Sequence, residues 1–196
     1  MPARTQKPKL LLHICCAPCA TWAFEKLKAE FEVTGYFYDP NIQPQQEYEK
    51  RRGEMHRLAA EAGLPLVDGE YEPEAWREAV SGLEDEPEGG RRCRICYDMR
   101  LRRAAEHARE HGFEWLATTL TVSPHKRADV INPIGDAICR QFGLRFLSAD
   151  FKKEGGFQQS LRLSKQHSLY RQDYCGCEFS RRERQQGGRR TSASKR

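Results

Sequence analysis

Short apolar segments alternate with longer amphipathic segments along most of this 196-residue chain, and this alternation strongly limits the possible folds. The apolar segments have the length and composition of buried strands. We predict five strands: Leu10–Cys15, Val33–Tyr38, Leu64–Val67, Trp115–Thr119 and Arg145–Leu147. We predict four helices: Ala20–Ala29 with Pro18 in its first turn, Gln45–Ala62, Cys96–His111 and Arg127–Gln141. The alternation predicts an α/β fold, a parallel sheet with flanking helices in a Rossmann-like three-layer arrangement.

We expect one domain over residues 1–180 and a basic tail over residues 181–196. The tail holds seven basic side chains and one acidic one, so it carries the whole net charge of +5. Its Gln, Gly, Arg and Ser content predicts a loss of order. Such a tail suits contact with a phosphate backbone, and a purely solubilising end fits the charge equally well. The acidic segment 68–88 is interpreted as a solvated helix and loop without a chemical role.

The apolar runs of the chain are short compared with a membrane span of about 20 residues. The run Leu10–Leu12 follows basic residues, as in a signal peptide, but His13 and a cysteine pair end the apolar stretch too early for a signal sequence. We therefore predict a cytoplasmic protein with no membrane partner.

Eight cysteines are a second strong feature of the sequence. Structural disulfides are unfavourable in a reducing cytosol, where closely spaced cysteines more often bind metal or carry out redox chemistry. Seven cysteines form three motifs: Cys15-Cys16-x-x-Cys19, Cys93-x-x-Cys96 and Cys175-x-Cys177. The first two motifs supply soft ligands that suit zinc or an iron–sulfur cluster, and spacing alone leaves both possible. Cys139 lies alone in a predicted helix and is interpreted as a buried small side chain.

Several of these groups follow predicted strands. Cys15 and Cys16 end the first strand, Asp39 follows the second, and the segment 123–126 follows the fourth. Ligands of open parallel sheets bind beyond the carboxyl ends of the strands, so we expect these groups to meet at one edge. Helix N-termini lower thiol pKa values, and we expect this effect for Cys19 and for the pair Cys93 and Cys96.

Five ordered segments of the chain resemble the QueH-type epoxyqueuosine reductases. The resemblance covers roughly residues 9–180 and includes all seven motif cysteines. The segments are LLHICCAPC (Leu11–Cys19), YFYDPN (Tyr36–Asn41), CRICYDMR (Cys93–Arg100), TTLTVSPHK (Thr118–Lys126) and DFKKEGGFQQSLRLSKQHSLYRQDYCGC (Asp150–Cys177).

The resemblance implies reduction of epoxyqueuosine to queuosine in the wobble position of tRNA, the last step of queuosine biosynthesis. It implies a [4Fe–4S] cluster at the carboxyl ends of the strands, a second metal centre close to it, and no cobalamin. By motif position, Cys15, Cys16, Cys93 and Cys96 are the expected cluster ligands. Cys175 and Cys177 match a redox-active pair. Cys19 and Asp39 are expected to complete a second site for an additional iron ion, and the electron donor stays unidentified.

Other residues are candidates for proton transfer and for tRNA binding. The candidate proton donors are His13, His125, Tyr97 and Tyr174, although His13 within a strand is better explained as structural. The candidate stacking residues are Phe37, Tyr38, Phe157, Tyr170 and Tyr174. The candidate phosphate contacts are Lys126, Lys152, Lys153, Arg162 and Lys165.

Three other classes of protein are considered on the residues alone. An enzyme of the ATP-pyrophosphatase type would use the segment 121–126 to hold phosphate, although the first loop lacks a Ser-Gly-Gly type of phosphate loop. A zinc-stabilised nucleic-acid-binding module would explain the cysteines without catalysis. A thiol–disulfide oxidoreductase would explain Cys175 and Cys177 and leave the other motif cysteines unused.

Overall fold

The computed structural model describes residues 7–193, with side chains through Gln186, and it is built on a five-stranded sheet. All four pairings between neighbouring strands are parallel, and the strand order is β3-β2-β1-β4-β5. The strands are β1 (Lys9–Ile14), β2 (Glu32–Phe37), β3 (Leu66–Asp68), β4 (Trp115–Thr118) and β5 (Arg145–Phe146). The predicted α/β fold is confirmed, and each predicted strand is present within a few residues of its expected ends.

Helices cover both faces of the sheet. They are α1 (Ala17–Leu27), α2 (Gln45–Ala62), α3 (Pro73–Ala79), α4 (Arg91–Glu110), α5 (Ala128–Gln141), α6 (Gly156–Gln166) and α7 (Glu178–Ala193). Strand β1 shows how the layers form, because Leu10 and Leu12 pack under α1 and α2 while Leu11 packs under α4 and α5. A strand buried on both faces has a continuous run of apolar residues, and this run allowed β1 to be predicted from the sequence. Among the described residues, no helix combines the length and apolarity that a bilayer crossing needs.

Helix α4 begins earlier than predicted, and helix α6 was not predicted. Helix α4 begins at Arg91 after Gly90, so Cys93 and Cys96 lie inside its first two turns and not before the helix. Helix α6 was not predicted, because its buried face carries small polar side chains and few apolar ones. The Ser160 hydroxyl donates to the Pro18 carbonyl at 2.7 Å, and the Ser164 hydroxyl donates to the Ser160 carbonyl at 2.6 Å.

The acidic segment 68–88 is not simply a solvated helix and loop. Trp76 and Val80 are buried and form a small apolar cluster with Cys96, Cys177 and Phe179. The buried Arg92 guanidinium also donates to backbone carbonyls of this segment. The segment therefore packs against two of the motif cysteines, Cys96 and Cys177. Its many carboxylates gave no indication of this packing role in the sequence.

The loss of order predicted for residues 181–196 stays a prediction, while the structure gives residues 181–193 a helical conformation. They continue helix α7, which starts one residue after Cys177. Phe179 and Ser180 are buried, and Glu183 pairs with Arg92 at 3.3 Å. Arg, Glu and Gln are good helix formers, so anchored residues of this composition can continue a helix. Residues 194–196 lie outside the described residues.

Helix α5 packs closely on β5, and one glycine makes this approach possible. A Cβ atom added at Gly135 would lie 2.4 Å from two carbon atoms of the Phe146 ring. We expect Gly135→Ala to lower the free energy of unfolding by about 1–3 kcal/mol, the usual cost of overpacking a core. The matched control is Gly53→Ala in α2, where a Cβ would meet nothing within 4 Å. This control should gain about 0.5–1 kcal/mol, and urea denaturation of both variants measures the contrast.

Candidate metal and redox centre

The carboxyl edge of the sheet gathers the groups that follow the central strands. Cys15 and Cys16 follow β1, and Asp39 follows β2. A 3₁₀ turn (Thr119–Val122) follows β4 and leads to Lys126. Strands β2, β1 and β4 are adjacent in the sheet, so their carboxyl ends are neighbours. The sequence prediction that these groups meet at one edge is confirmed.

The first cysteine motif forms a compact group of sulfur atoms. The Sγ atoms of Cys15, Cys16 and Cys19 all lie within 4.8 Å of one another, and those of Cys15 and Cys16 are 3.9 Å apart. Cys16 is the N-cap of α1 in extended conformation, with Pro18 in the first turn, so the chain reverses tightly here. Three sulfur atoms at this spacing can serve as ligands of a shared metal centre.

Hydrogen bonds position the sulfur atoms of this group and favour negative charge on Cys16. The Thr119 hydroxyl donates to Cys15 Sγ at 3.4 Å, and the Cys15 backbone N–H donates to Thr119 Oγ1 at 3.1 Å. Hydrogen bonds from Cys15 and Cys19 hold the pKa of Cys16 well below its usual value. Hydrogen bonds with Cys15 and Cys16 raise the pKa of Cys19. The lowered thiol pKa that was predicted for Cys19 is therefore found at Cys16 instead.

The second motif lies on the buried face of α4. The Gly89 backbone N–H donates to Cys93 Sγ at 3.2 Å. Burial nevertheless raises the pKa of Cys93, and it raises the pKa of Cys96 to about 11. The expectation that the helix N-terminus lowers both values is therefore wrong for these thiols, because desolvation outweighs the field of the helix and of the nearby arginines.

The third motif is held by a buried arginine of α2. The Arg51 guanidinium donates to the carbonyls of Cys175 at 3.0 Å and Tyr174 at 3.3 Å, and to Glu47 at 2.7 Å. Gly176 has a φ of 133°, and a Cβ there would lie 3.2 Å from Arg51 Nη1. The loop is thus clamped in one conformation that places Cys175 in a cleft, while Cys177 is buried beside Cys96.

Asp39 forms a buried ion pair at the base of the site. Its Oδ1 accepts a hydrogen bond from the Arg100 guanidinium, and both side chains are almost fully buried. Its Oδ2 is buried and has no hydrogen-bond partner among the described residues. Burial raises the pKa of Asp39 to about 7 against the opposing effect of Arg100. An unpartnered carboxylate oxygen is a hard ligand of the kind that metal ions accept. Asp39 does not belong to the group of Cys15, Cys16 and Cys19 whose donor atoms lie within 4.8 Å of one another.

A cleft of about 340 Å³ opens above these groups. Cys15, Cys16, Cys19 and Cys175 line it, whereas Cys93, Cys96 and Cys177 are buried behind its wall. The four expected cluster ligands are therefore divided between the cleft and the helix behind it. Arg51, Thr119 and Arg171 were not expected from the sequence as site residues, whereas Arg184 belongs to the basic tail that was predicted to suit a phosphate backbone. The presence of Arg100 at the site could have been predicted, because its spacing places it on the same helical face as Cys93 and Cys96.

Of the other residues that the sequence suggested for the site, some lie in the core and others line the cleft. His13 is fully buried, and burial lowers its pKa to about 3, which fits the structural interpretation. Phe37 and Tyr38 are core residues, and Cys139 is a buried side chain of α5. His125, Lys126, Phe157 and Tyr174 line the cleft. Lys152 pairs with Asp150, and the Tyr174 hydroxyl donates to the Gln43 carbonyl at 2.6 Å.

The Arg51 clamp gives a testable prediction. We expect Arg51→Met to release the loop, so that Cys175 reacts faster with iodoacetamide, and to lower the free energy of unfolding by about 3–5 kcal/mol, because Glu47 loses its buried partner. Arg52→Met is the matched control, since Arg52 is half exposed and its ion pairs are worth about 0–1 kcal/mol. Equal alkylation rates in both variants, read by mass spectrometry, would show that the clamp does not position Cys175.

The fold and the site define a class of protein: a parallel α/β protein with a thiol-lined cleft at the carboxyl edge of its sheet. The sequence profile of the family described as "Epoxyqueuosine reductase QueH" matches residues 10–183. The chain belongs to this family. It is 42% identical over 181 residues to the epoxyqueuosine reductase QueH of Thermotoga maritima, covering 90% of this chain and 92% of the relative. It is 38% identical over 180 residues to that of Streptococcus pyogenes, covering 89% and 71%.

A solved structure shares the fold. The U34-tRNA thiolase NcsA from Methanococcus maripaludis, determined with its [4Fe-4S] cluster, superimposes with a TM-score of 0.58 and 11% sequence identity. The match covers 89% of this chain and 62% of the thiolase chain. At this identity the likeness establishes the fold alone.

Proposed function

We propose that this protein reduces epoxyqueuosine to queuosine in tRNA, by a two-electron removal of the epoxide oxygen without cobalamin. Membership of the QueH family over residues 10–183 is the observation that carries the proposal. The cleft supports it, because it places four thiols where a ligand would enter, and Arg100, the partner of the buried Asp39, also lines it.

The residues fit an iron–sulfur centre. Cys15 and Cys16 would hold a [4Fe–4S] cluster together with Cys93 and Cys96, which are buried residues of α4. Cys19 and Asp39 would hold an additional iron ion, since one supplies a soft sulfur atom and the other a hard oxygen atom. A bound iron–sulfur cluster supplies single electrons, which no amino-acid side chain does.

The protein's own side chains have distinct tasks in this proposal. The Arg100 guanidinium holds Asp39 with one oxygen atom directed away from the ion pair. Cys175, held in the cleft by Arg51, and the buried Cys177 form the redox-active pair. Each turnover also needs two protons, and His125 and Tyr174 are the sequence candidates that line the cleft. An external one-electron carrier would restore the reduced state.

The nucleoside would be presented by an unstacked anticodon loop, as is usual when proteins act on single RNA bases. Phe157 lines the cleft and offers an aromatic face for stacking. The arginine-rich helix α7 lies beside the cleft, since Arg184 is part of its lining. This placement supports a role for α7 in contacts with the RNA backbone.

The direct test is turnover on isolated tRNA. The full-length protein, purified without oxygen, is incubated with epoxyqueuosine-containing tRNA and a chemical one-electron reductant. Nucleosides are then analysed by mass spectrometry. The proposal predicts loss of one oxygen atom from the modified nucleoside. Unchanged epoxyqueuosine in the presence of protein with its full iron content would contradict it.

A further inference from the structure

The cleft contains a buried cation without a partner. Lys126 is 8% exposed as a whole residue and lines the cleft. Its backbone carbonyl accepts a hydrogen bond from Lys152, but within the described part of the chain its ammonium group makes neither a hydrogen bond nor an ion pair. Burial of an ammonium group is costly unless an anion or hydrogen-bond acceptor compensates it. The position of Lys126 therefore indicates that an anion enters the cleft.

Two arginines extend this positive charge outward. Arg171 and Arg184 line the same cleft, are exposed, and have no carboxylate partner among the described ion pairs. The Arg171 guanidinium makes only a 3.3 Å hydrogen bond to the Ser164 hydroxyl. The carboxylates of Glu88 and Asp173 also line the cleft, so the lining carries both signs. Neither carboxylate forms an ion pair with Lys126, Arg171 or Arg184, so these three cations are available to a ligand.

We propose that Lys126, Arg171 and Arg184 form a phosphate subsite in the cleft. This inference rests on the proposed function, because the subsite would hold a phosphate next to the nucleoside that reaches the thiols. Arginine presents a planar fork that matches phosphate oxygen atoms, and lysine supplies a compact point charge. The buried lysine and the two exposed arginines suit a ligand that extends from the cleft into solvent. Phosphate of this kind is found in an RNA backbone and in a free nucleotide.

The rival role for Lys126 is to balance the charge of the cysteine sulfurs. The fields of Cys175 and Cys15 oppose the desolvation of Lys126 and raise its pKa. That role would make Lys126 necessary for the metal centre, and it would not involve the exposed Arg171 and Arg184. The two roles therefore predict different results for metal content and for ligand affinity.

The test uses full-length protein purified without oxygen and two probes, an unmodified anticodon stem-loop RNA and ATP. The variants are Lys126→Gln, Arg171→Gln and Arg184→Gln. The matched control is Lys9→Gln, which removes the same charge from the exposed first residue of β1, at the edge of the sheet opposite the cleft. Affinity is measured by fluorescence anisotropy for the RNA and by calorimetry for ATP, at several salt concentrations.

We expect each cleft variant to lose about tenfold in RNA affinity, as for a hydrogen bond between charged groups. Each should also reduce the slope of log K against log salt by about one, while Lys9→Gln leaves both the affinity and the slope unchanged. Weakening for ATP alone would identify a free nucleotide as the source of the phosphate. Unchanged affinity for both probes would overturn the subsite, as would loss of iron from Lys126→Gln with unaltered binding. Because the RNA is unmodified, binding is scored independently of turnover.

Discussion

Cys93→Ala is expected to abolish iron binding at the cluster and to lower turnover by more than about a hundredfold, because loss of even an outer partner of a metal ligand costs about 10–100-fold. Cys93 lies on the buried face of α4, and the Gly89 backbone N–H donates to its sulfur. A buried thiol that accepts a backbone hydrogen bond is well placed to act as a ligand. Iron and acid-labile sulfide content, measured with turnover on the same preparation, check the prediction.

The matched control for this variant is Cys139→Ala. Cys139 is also buried in a helix, and burial raises the pKa of its thiol to about 12. It packs among the apolar residues between α4, α5 and the sheet. Its loss should cost about 1 kcal/mol of stability, as for one buried methylene group, with iron and turnover retained. Full iron content and turnover in the Cys93 variant would remove this residue from the ligand set.

Asp39→Asn is expected to have the second large effect. The change removes the charge that compensates the buried Arg100, so the free energy of unfolding should fall by about 3–5 kcal/mol. It also replaces the proposed oxygen ligand, so the additional iron should be lost while the sulfide of the cluster remains. Chemical denaturation and metal analysis read these two consequences separately.

A double variant separates the structural role of Asp39 from its proposed role as a ligand. Combining Asp39→Asn with Arg100→Met removes both members of the buried ion pair and should restore much of the lost stability. Iron at the second site and turnover should not return. Recovery of turnover together with stability would mean that Asp39 acts only by compensating Arg100.

The sheet was largely predictable from the sequence, and the helices were less so. Strand β1 reads as an apolar run because it is buried on both faces, and α2 was predicted at its observed bounds because Gly63 ends it. Helix α6 was missed because Ser160 and Ser164 form its buried contacts through hydrogen bonds and not through apolar surface. The residues after 180 continue as helix α7 because Phe179 is buried against Trp76 at the start of the helix.

The site was predictable where strand ends place its residues. Cys15, Cys16 and Asp39 follow adjacent parallel strands, so topology alone brings them to one edge. The Arg51 clamp was not predictable, since an arginine in a highly charged amphipathic helix gives no sign that it is buried. Spacing in the sequence also does not determine which motif cysteines line the cleft and which are buried behind it, because this depends on tertiary packing.

We propose that cysteines from separate parts of the chain hold a redox-active iron centre at the carboxyl edge of the sheet. The most direct measurement is iron and acid-labile sulfide analysis of the full-length protein purified without oxygen, with electron paramagnetic resonance after reduction. We expect iron and sulfide in the proportion of one [4Fe–4S] cluster plus one further iron, and a cluster signal on reduction. Colourless protein that carries stoichiometric zinc and does not take up iron and sulfide on reconstitution would contradict it.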